Sequence, residues 1–95
     1  MIASFADAAA EDIFNGRNTK AARRVPRELW KNAARKLSAI DYATDLRDLS
    51  SPGNNLEKLK GSLDGKLSIR IDDPFRIVFD FKRGEANNVA ITDYH

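Results

Sequence analysis

The only histidine in the chain is His95, which follows Asp93 and Tyr94 directly. Imidazole, with an unperturbed pKa of about 6.5, is the side chain suited to exchanging protons near neutrality. Two cations, Lys60 and Arg76, fall on or beside stretches patterned as neighbouring strands, and Arg76 should project from a polar sheet face. Glu57 and Asp93 are carboxylates that could act as bases or orient the histidine, and Tyr94 offers a ring for stacking and a hydroxyl for a phosphate. These groups suit metal-free cleavage of an RNA backbone. That reaction needs a base for the 2′-hydroxyl proton, cations for the charge that builds on the phosphate, and an acid for the leaving 5′-oxygen. Plainer explanations stand beside this one. A lone terminal histidine is more often a solvated chain end, and Tyr94 could simply close the edge of the core. A strand arginine more often pairs with a neighbouring acid, which is the expectation for Arg70. Residue types alone therefore point only weakly to a nuclease.

Other chemistries are excluded more firmly. With no cysteine there is no disulfide, thiolate zinc site or cysteine nucleophile, which suits a reducing cytosol. No GxGxxG, P-loop, HExxH or nucleophile elbow occurs. One histidine does not make a usual zinc site without several converging carboxylates. Neither a metal nor a small-molecule cofactor is expected. The N-terminal stretch lacks a basic leader and carries Asp7, Glu11 and Asp12 among its apolar residues, so it is not expected to be a secretory signal. No apolar run approaches the roughly 20 residues needed to span a bilayer. A soluble, cytoplasmic protein is expected, and the 95 residues fit a single domain over 1–95.

The elements that must position these residues follow from periodicity. Met1–Phe5 is short and partly alternating and is read as a first strand. Asp7 can cap a short helix reaching about Asn15, and Gly16 can supply its left-handed stop. Pro26 suits a helix start, and the spacing of Leu29, Trp30, Ala33, Leu37 and Ile40 predicts a longer helix to about Tyr42. Asp45 should cap one further turn through Leu49, and residues 50–55, with Pro52 and Gly53, should form a loop. The period then turns to alternation. Strands are predicted over 56–60 and 66–71, joined by a tight turn at Asp64-Gly65. Two more follow over 75–81 and 89–93, after turns at Asp72-Asp73-Pro74 and Arg83-Gly84. Two helices followed by an antiparallel meander make an α+β fold. The helices should pack on a face built from Leu67, Ile69, Ile71, Phe75, Ile77, Phe79, Val89 and Ile91. Ser68, Arg70, Arg76 and Tyr94 then fall on an opposite, cationic face.

Net charge is only +2, but it is unevenly spread. Arg17, Lys20, Arg23, Arg24, Arg27, Lys31, Arg35 and Lys36 lie in one stretch, opposed only by Glu28. Such a block favours a polyanion or an acidic protein, although it can equally be a solvated helix face.

The run Pro52-Gly53-Asn54-Asn55-Leu56-Glu57-Lys58-Leu59-Lys60-Gly61, then Ser68-Ile69-Arg70-Ile71, Phe75-Arg76-Ile77-Val78-Phe79 and the closing Asp93-Tyr94-His95, resembles HigB-type toxins of the RelE/ParE group. So do Met1-Ile2, Ser4-Phe5, Lys36-Leu37 and Ala43-Thr44, and the resemblance runs along nearly the whole chain in order. It implies two N-terminal helices on a small antiparallel sheet, and a toxin that enters the ribosomal A site and cuts mRNA to a 2′,3′-cyclic phosphate and a free 5′-hydroxyl. It implies a HigA-type helix-turn-helix antitoxin as partner. The family's active-site pattern falls on Lys60, Arg76, Asp93, Tyr94 and His95. His95 would then be the general acid, Lys60 and Arg76 would hold the phosphate charge, and Tyr94 would position the nucleotide. Asp93 or Glu57 would serve as base or orienter. Arg23, Arg24, Arg27, Lys31 and Arg35 would grip ribosomal RNA through phosphates. The chain departs from the pattern at Glu57, where some relatives carry histidine, at Ser62, where aspartate is usual, and at Leu67, where many carry an aromatic. The alternatives are a ParE-like gyrase poison of the same fold, which has no use for a proton donor beside two cations, and an inactive RNA-binding module.

Overall fold

The computed structural model describes residues 1–61 and 65–93. Asp64 of the expected hairpin turn, Ser62, Tyr94 and His95 lie outside the described residues. The elements are α1 (Ala8–Phe14), α2 (Trp30–Tyr42), β1 (Glu57–Lys58), β2 (Leu67–Asp72), β3 (Phe75–Lys82) and β4 (Glu85–Asp93). The four strands form one antiparallel sheet in the order β1-β2-β3-β4. The architecture is α+β, as expected.

Asp7 starts α1 by accepting from the Ala10 N–H at 2.8 Å. Its other oxygen pairs with Arg24 at 3.0 Å and accepts from the Ile91 N–H at 3.3 Å, so one carboxylate ties a helix start, the basic connector and β4 together. Asp7→Ala should therefore lower stability by about 1–2 kcal/mol, near the upper end for a lost cap. A lower denaturant midpoint at unchanged slope would show it. Asp7→Asn should recover the helix cap but not the ion pair.

Ahead of α2 the chain is tighter than the helical spacing suggested. Arg27–Leu29 forms a 3-10 turn that leads directly into α2 at Trp30. Asp45 caps a further 3-10 turn, Leu46–Leu49, in a reciprocal capping box with Asp48. The expected loop contains its own short turn, Pro52–Asn54, closed by Asn55 in the left-handed region at φ 49°.

The sheet differs from the alternation pattern at both ends. β1 is only two residues long, because Glu57 and Lys58 alone pair with Ser68 and Leu67. β4 begins at Glu85, earlier than expected. Its register shifts between the partners of Val78 and Asp80, and Asn88 takes a φ of 55°. This bulge inserts one residue and reverses which parity points inward, so Ala86 is buried along with Val89 and Ile91. The turn into β4 is as read, with positive φ at both Arg83 and Gly84.

Residues 1–5 are not a strand. Ile2 and Phe5 make isolated parallel bridges to Ala86 and Val89. Between them the bulge interrupts the ladder, and Ser4 Oγ accepts from the Asn88 N–H at 2.9 Å.

Every residue expected on the inner sheet face belongs to a single core cluster, which also contains Ala9, Ala10, Ile13, Ala33, Leu37 and Ile40 of the two helices. Ser68, Arg70 and Arg76 share the opposite face, as expected, but much of that face is covered. Ser68 and Val78 are buried there, and Leu59, two positions beyond Glu57 on the side of the sheet shared with Ser68, is buried as well. Among the described residues, no helix is long and apolar enough to cross a membrane.

Candidate functional site

Arg76 is the centre of that second face. It is 8% exposed, and its guanidinium donates to Ser68 Oγ at 2.9 Å and to the Asn55 carbonyl at 2.6 Å. Both acceptors are neutral. Of the five N–H groups of a guanidinium, these hydrogen bonds engage two among the described residues, fixing the plane of the group and leaving donors for an anion.

Across the β2–β3 ladder Arg76 faces Arg70, an arrangement of like charges that costs stability unless offset. For Arg70 the offset is internal, as expected from its neighbours. It pairs with Asp72 and Asp73, both at 3.3 Å. Arg76 has no ion pair among the described residues.

The register relates the remaining candidates to Arg76. Glu57 stands opposite Ser68, the residue that receives the Arg76 hydrogen bond, so Glu57 and Arg76 share one face. Thr92 stands opposite Arg76 on the other side, and Asp93, the next residue, stands opposite Phe75. Lys60 is exposed and follows Leu59, whose N–H bonds the Lys66 carbonyl. The sheet therefore brings Glu57, Ser68 and Arg76 together. Tyr94 and His95 lie outside the described residues.

The basic block is exposed but not uniformly free. Arg24 is held by Asp7 and by the Ile91 carbonyl, and Arg23 donates to Asn18. Arg27 stacks over Trp30 with its guanidinium carbon 4.6 Å from the ring centre. Lys31 and Arg35 stand on α2, where Arg35 donates to Asn32. Lys36, the next residue, is 6% exposed and donates to the Gly53 carbonyl at 2.9 Å. Burial, reinforced by the charges of Arg35, Arg70 and Arg76, pushes its pKa below the usual lysine value. No group of three or more His, Asp or Glu side chains placed to hold a metal ion occurs among the described residues.

A family model for the RelE-like toxin of the type II toxin–antitoxin system HigB matches residues 3–95. The chain belongs to this family of HigB-like toxins. It is 34% identical to toxin HigB-1 of Vibrio cholerae over 96% of this chain and 95% of that protein. It is 38% identical to endoribonuclease HigB of Proteus vulgaris over 63% of this chain and 65% of that one. The fold is also similar to a chain of the YoeB-YefM complex from Staphylococcus aureus, with a TM-score of 0.61 at 20% identity, covering all of this chain and 98% of that one.

Two residues of this HigB-like toxin escape a reading of residue types. Lys36 was visible only in the basic block and in the family resemblance. Its spacing from Ala33, Leu37 and Ile40, at three, one and four residues, places it beside the buried stripe of α2, and that spacing was the available signal. Ser68 was placed on the correct face, but nothing local to it marks it as the acceptor for Arg76.

Proposed function

We propose that this toxin is a ribosome-dependent endoribonuclease that cuts mRNA without a metal, by attack of the 2′-hydroxyl on the adjacent phosphate. The observation that carries this reading is the buried Arg76, which among the described residues is anchored to neutral acceptors alone and faces a second arginine. A buried cation without a counter-ion is costly, and a phosphate arriving at Arg76 would supply the missing charge. The kinship to a protein named an endoribonuclease supports the same chemistry.

The roles follow the residue chemistry. Arg76 and Lys60 hold the non-bridging oxygens as charge builds on them. Glu57, on the Arg76 face, or Asp93 takes or orients the 2′-hydroxyl proton. His95 protonates the leaving 5′-oxygen, and Tyr94 stacks on a base. The products are a 2′,3′-cyclic phosphate and a free 5′-hydroxyl. The toxin acts in the cytoplasm and is neutralised there by a HigA-type helix-turn-helix antitoxin. The toxin–antitoxin family and the YoeB-YefM fold relative favour an antitoxin partner, without bearing on its type.

Arg23, Arg24, Arg27, Lys31 and Arg35 supply affinity for ribosomal RNA through phosphates rather than bases. Reversing Arg27, Lys31 and Arg35 to glutamate should weaken ribosome binding steeply and flatten its dependence on salt. Single-turnover cleavage on saturated ribosomes should change far less. A fall in that rate as large as the fall in affinity would move these residues into the chemical step. The function itself is tested by incubating the toxin with translated and with naked mRNA and mapping the cut ends, with a gyrase supercoiling assay in parallel. Translation-dependent cutting without inhibition of gyrase is expected.

A further inference from the structure

Lys36 has no place in the cleavage chemistry, yet it is as deeply buried as Arg76. An ammonium has three donors. The Gly53 carbonyl takes one, and no carboxylate forms an ion pair with Lys36 among the described residues. Its neighbour Arg35 is likewise bonded to a neutral acceptor, Asn32 Oδ1. Lys36 feels the charges of Arg35 and Arg76, and none of the three has a counter-ion among the described residues.

Beside Lys36 a groove of about 240 Å³ opens between α2 and the Ser51–Asn54 stretch, with Arg35, Lys36, Asp48, Ser51 and Asn54 in its wall. Asp48 is the one acid of that wall. Its Oδ2 already accepts from the Thr44 N–H, the Thr44 hydroxyl and the Asp45 N–H, and these bonds hold its carboxyl below the usual aspartate range.

We propose that this groove is a second phosphate site, which takes an RNA phosphodiester flanking the one at Arg76, with Lys36 as inner ligand and Arg35 at the rim. The relation between the two sites favours RNA over a partner's carboxylates. Lys36 grips the carbonyl of Gly53 and Arg76 that of Asn55. Positions two residues apart lie within about 7 Å along the chain, so the two cations are held within reach of successive phosphates of one strand. The ligand's identity rests on the ribonuclease reading; the anion site itself does not.

The test is an NMR titration at low ionic strength with a trinucleotide that cannot be cut, because the 2′-hydroxyls of its first two nucleotides are replaced by hydrogen. The wild type should bind it saturably, with the Lys36 side-chain resonances shifting. Lys36→Gln should weaken binding about 5-fold or more and make the slope of log affinity against log salt shallower by about 0.7, the loss of one single-strand phosphate contact. Lys36→Arg should keep the slope. Lys36→Met should melt no lower than wild type, because it removes a charge from among like charges. The proposal is overturned if the wild type does not bind, if Lys36→Gln keeps affinity and slope, or if Lys36→Gln loses only binding to a glutamate-rich peptide. It is also overturned if Lys36→Met melts lower while trinucleotide binding is unchanged, since Lys36 is then only a tether for Gly53. No cleavage is involved, so the two readings can fail separately. Lys36-dependent binding by a protein that cuts no mRNA would leave the anion site standing and sink the nuclease. Cleavage with Lys36-independent binding would do the reverse.

Discussion

Arg76→Ala should slow single-turnover mRNA cleavage by about 10²–10³-fold, the usual cost of removing a pre-aligned donor from a developing anionic charge. It should also lower stability by about 1–3 kcal/mol, because the buried Ser68 hydroxyl and the Asn55 carbonyl lose their donor together. The two effects separate. A fall in stability of that size lowers the folded fraction little when the assay runs well below the melting transition, whereas the rate loss persists in every folded molecule. Arg76→Lys sharpens the test. It keeps the charge but not the planar fork that reaches Ser68 and Asn55 at once, so it should recover little activity. Normal cleavage per folded Arg76→Ala molecule would make Arg76 a structural clip between the sheet and the Asn55 turn, and nothing more.

His95→Ala should slow the same step by about 10²-fold or more, the scale of a positioned general acid. Thr92 is the ladder partner of Arg76, and three residues of chain from Thr92 to His95 span at most about 10–11 Å. Thermal stability should hardly change if the role of His95 is chemical. Ribosome affinity should also persist if it comes from the proposed basic residues, Arg23 to Arg35. A mutant that keeps a near-normal rate would take His95 out of the chemistry and require another acid.

How much of this could be read from the sequence depended on whether the deciding interaction was local. Asp7 and Asp45 cap turns through bonds to their immediate successors, so both were visible at once. The inner-face residues from Leu67 to Phe79 obey strict alternation and were placed correctly. The first half of β4 was hidden because the bulge at Asn88 breaks the alternation a strand is recognised by. The partners of Arg70, two and three residues away, were foreseeable. Those of Arg76 were not, because Asn55 reaches it only through the tertiary path of the 50s loop. Alternation told which face Arg76 occupies but not that the face would be covered. For the same reason Lys36 passed as one more member of a basic block, although its hydrogen-bond acceptor is Gly53, 17 residues away.

The measurement that bears most directly on this account is the mapping of mRNA ends after brief exposure of a translating extract, and of the same mRNA without ribosomes, to the purified toxin. The account predicts cuts confined to ribosome-bound message, each leaving a 2′,3′-cyclic phosphate and a free 5′-hydroxyl, unaffected by removal of divalent ions once the ribosome complexes are fixed. Intact message in both samples, or equal cutting of naked and translated RNA, would contradict it.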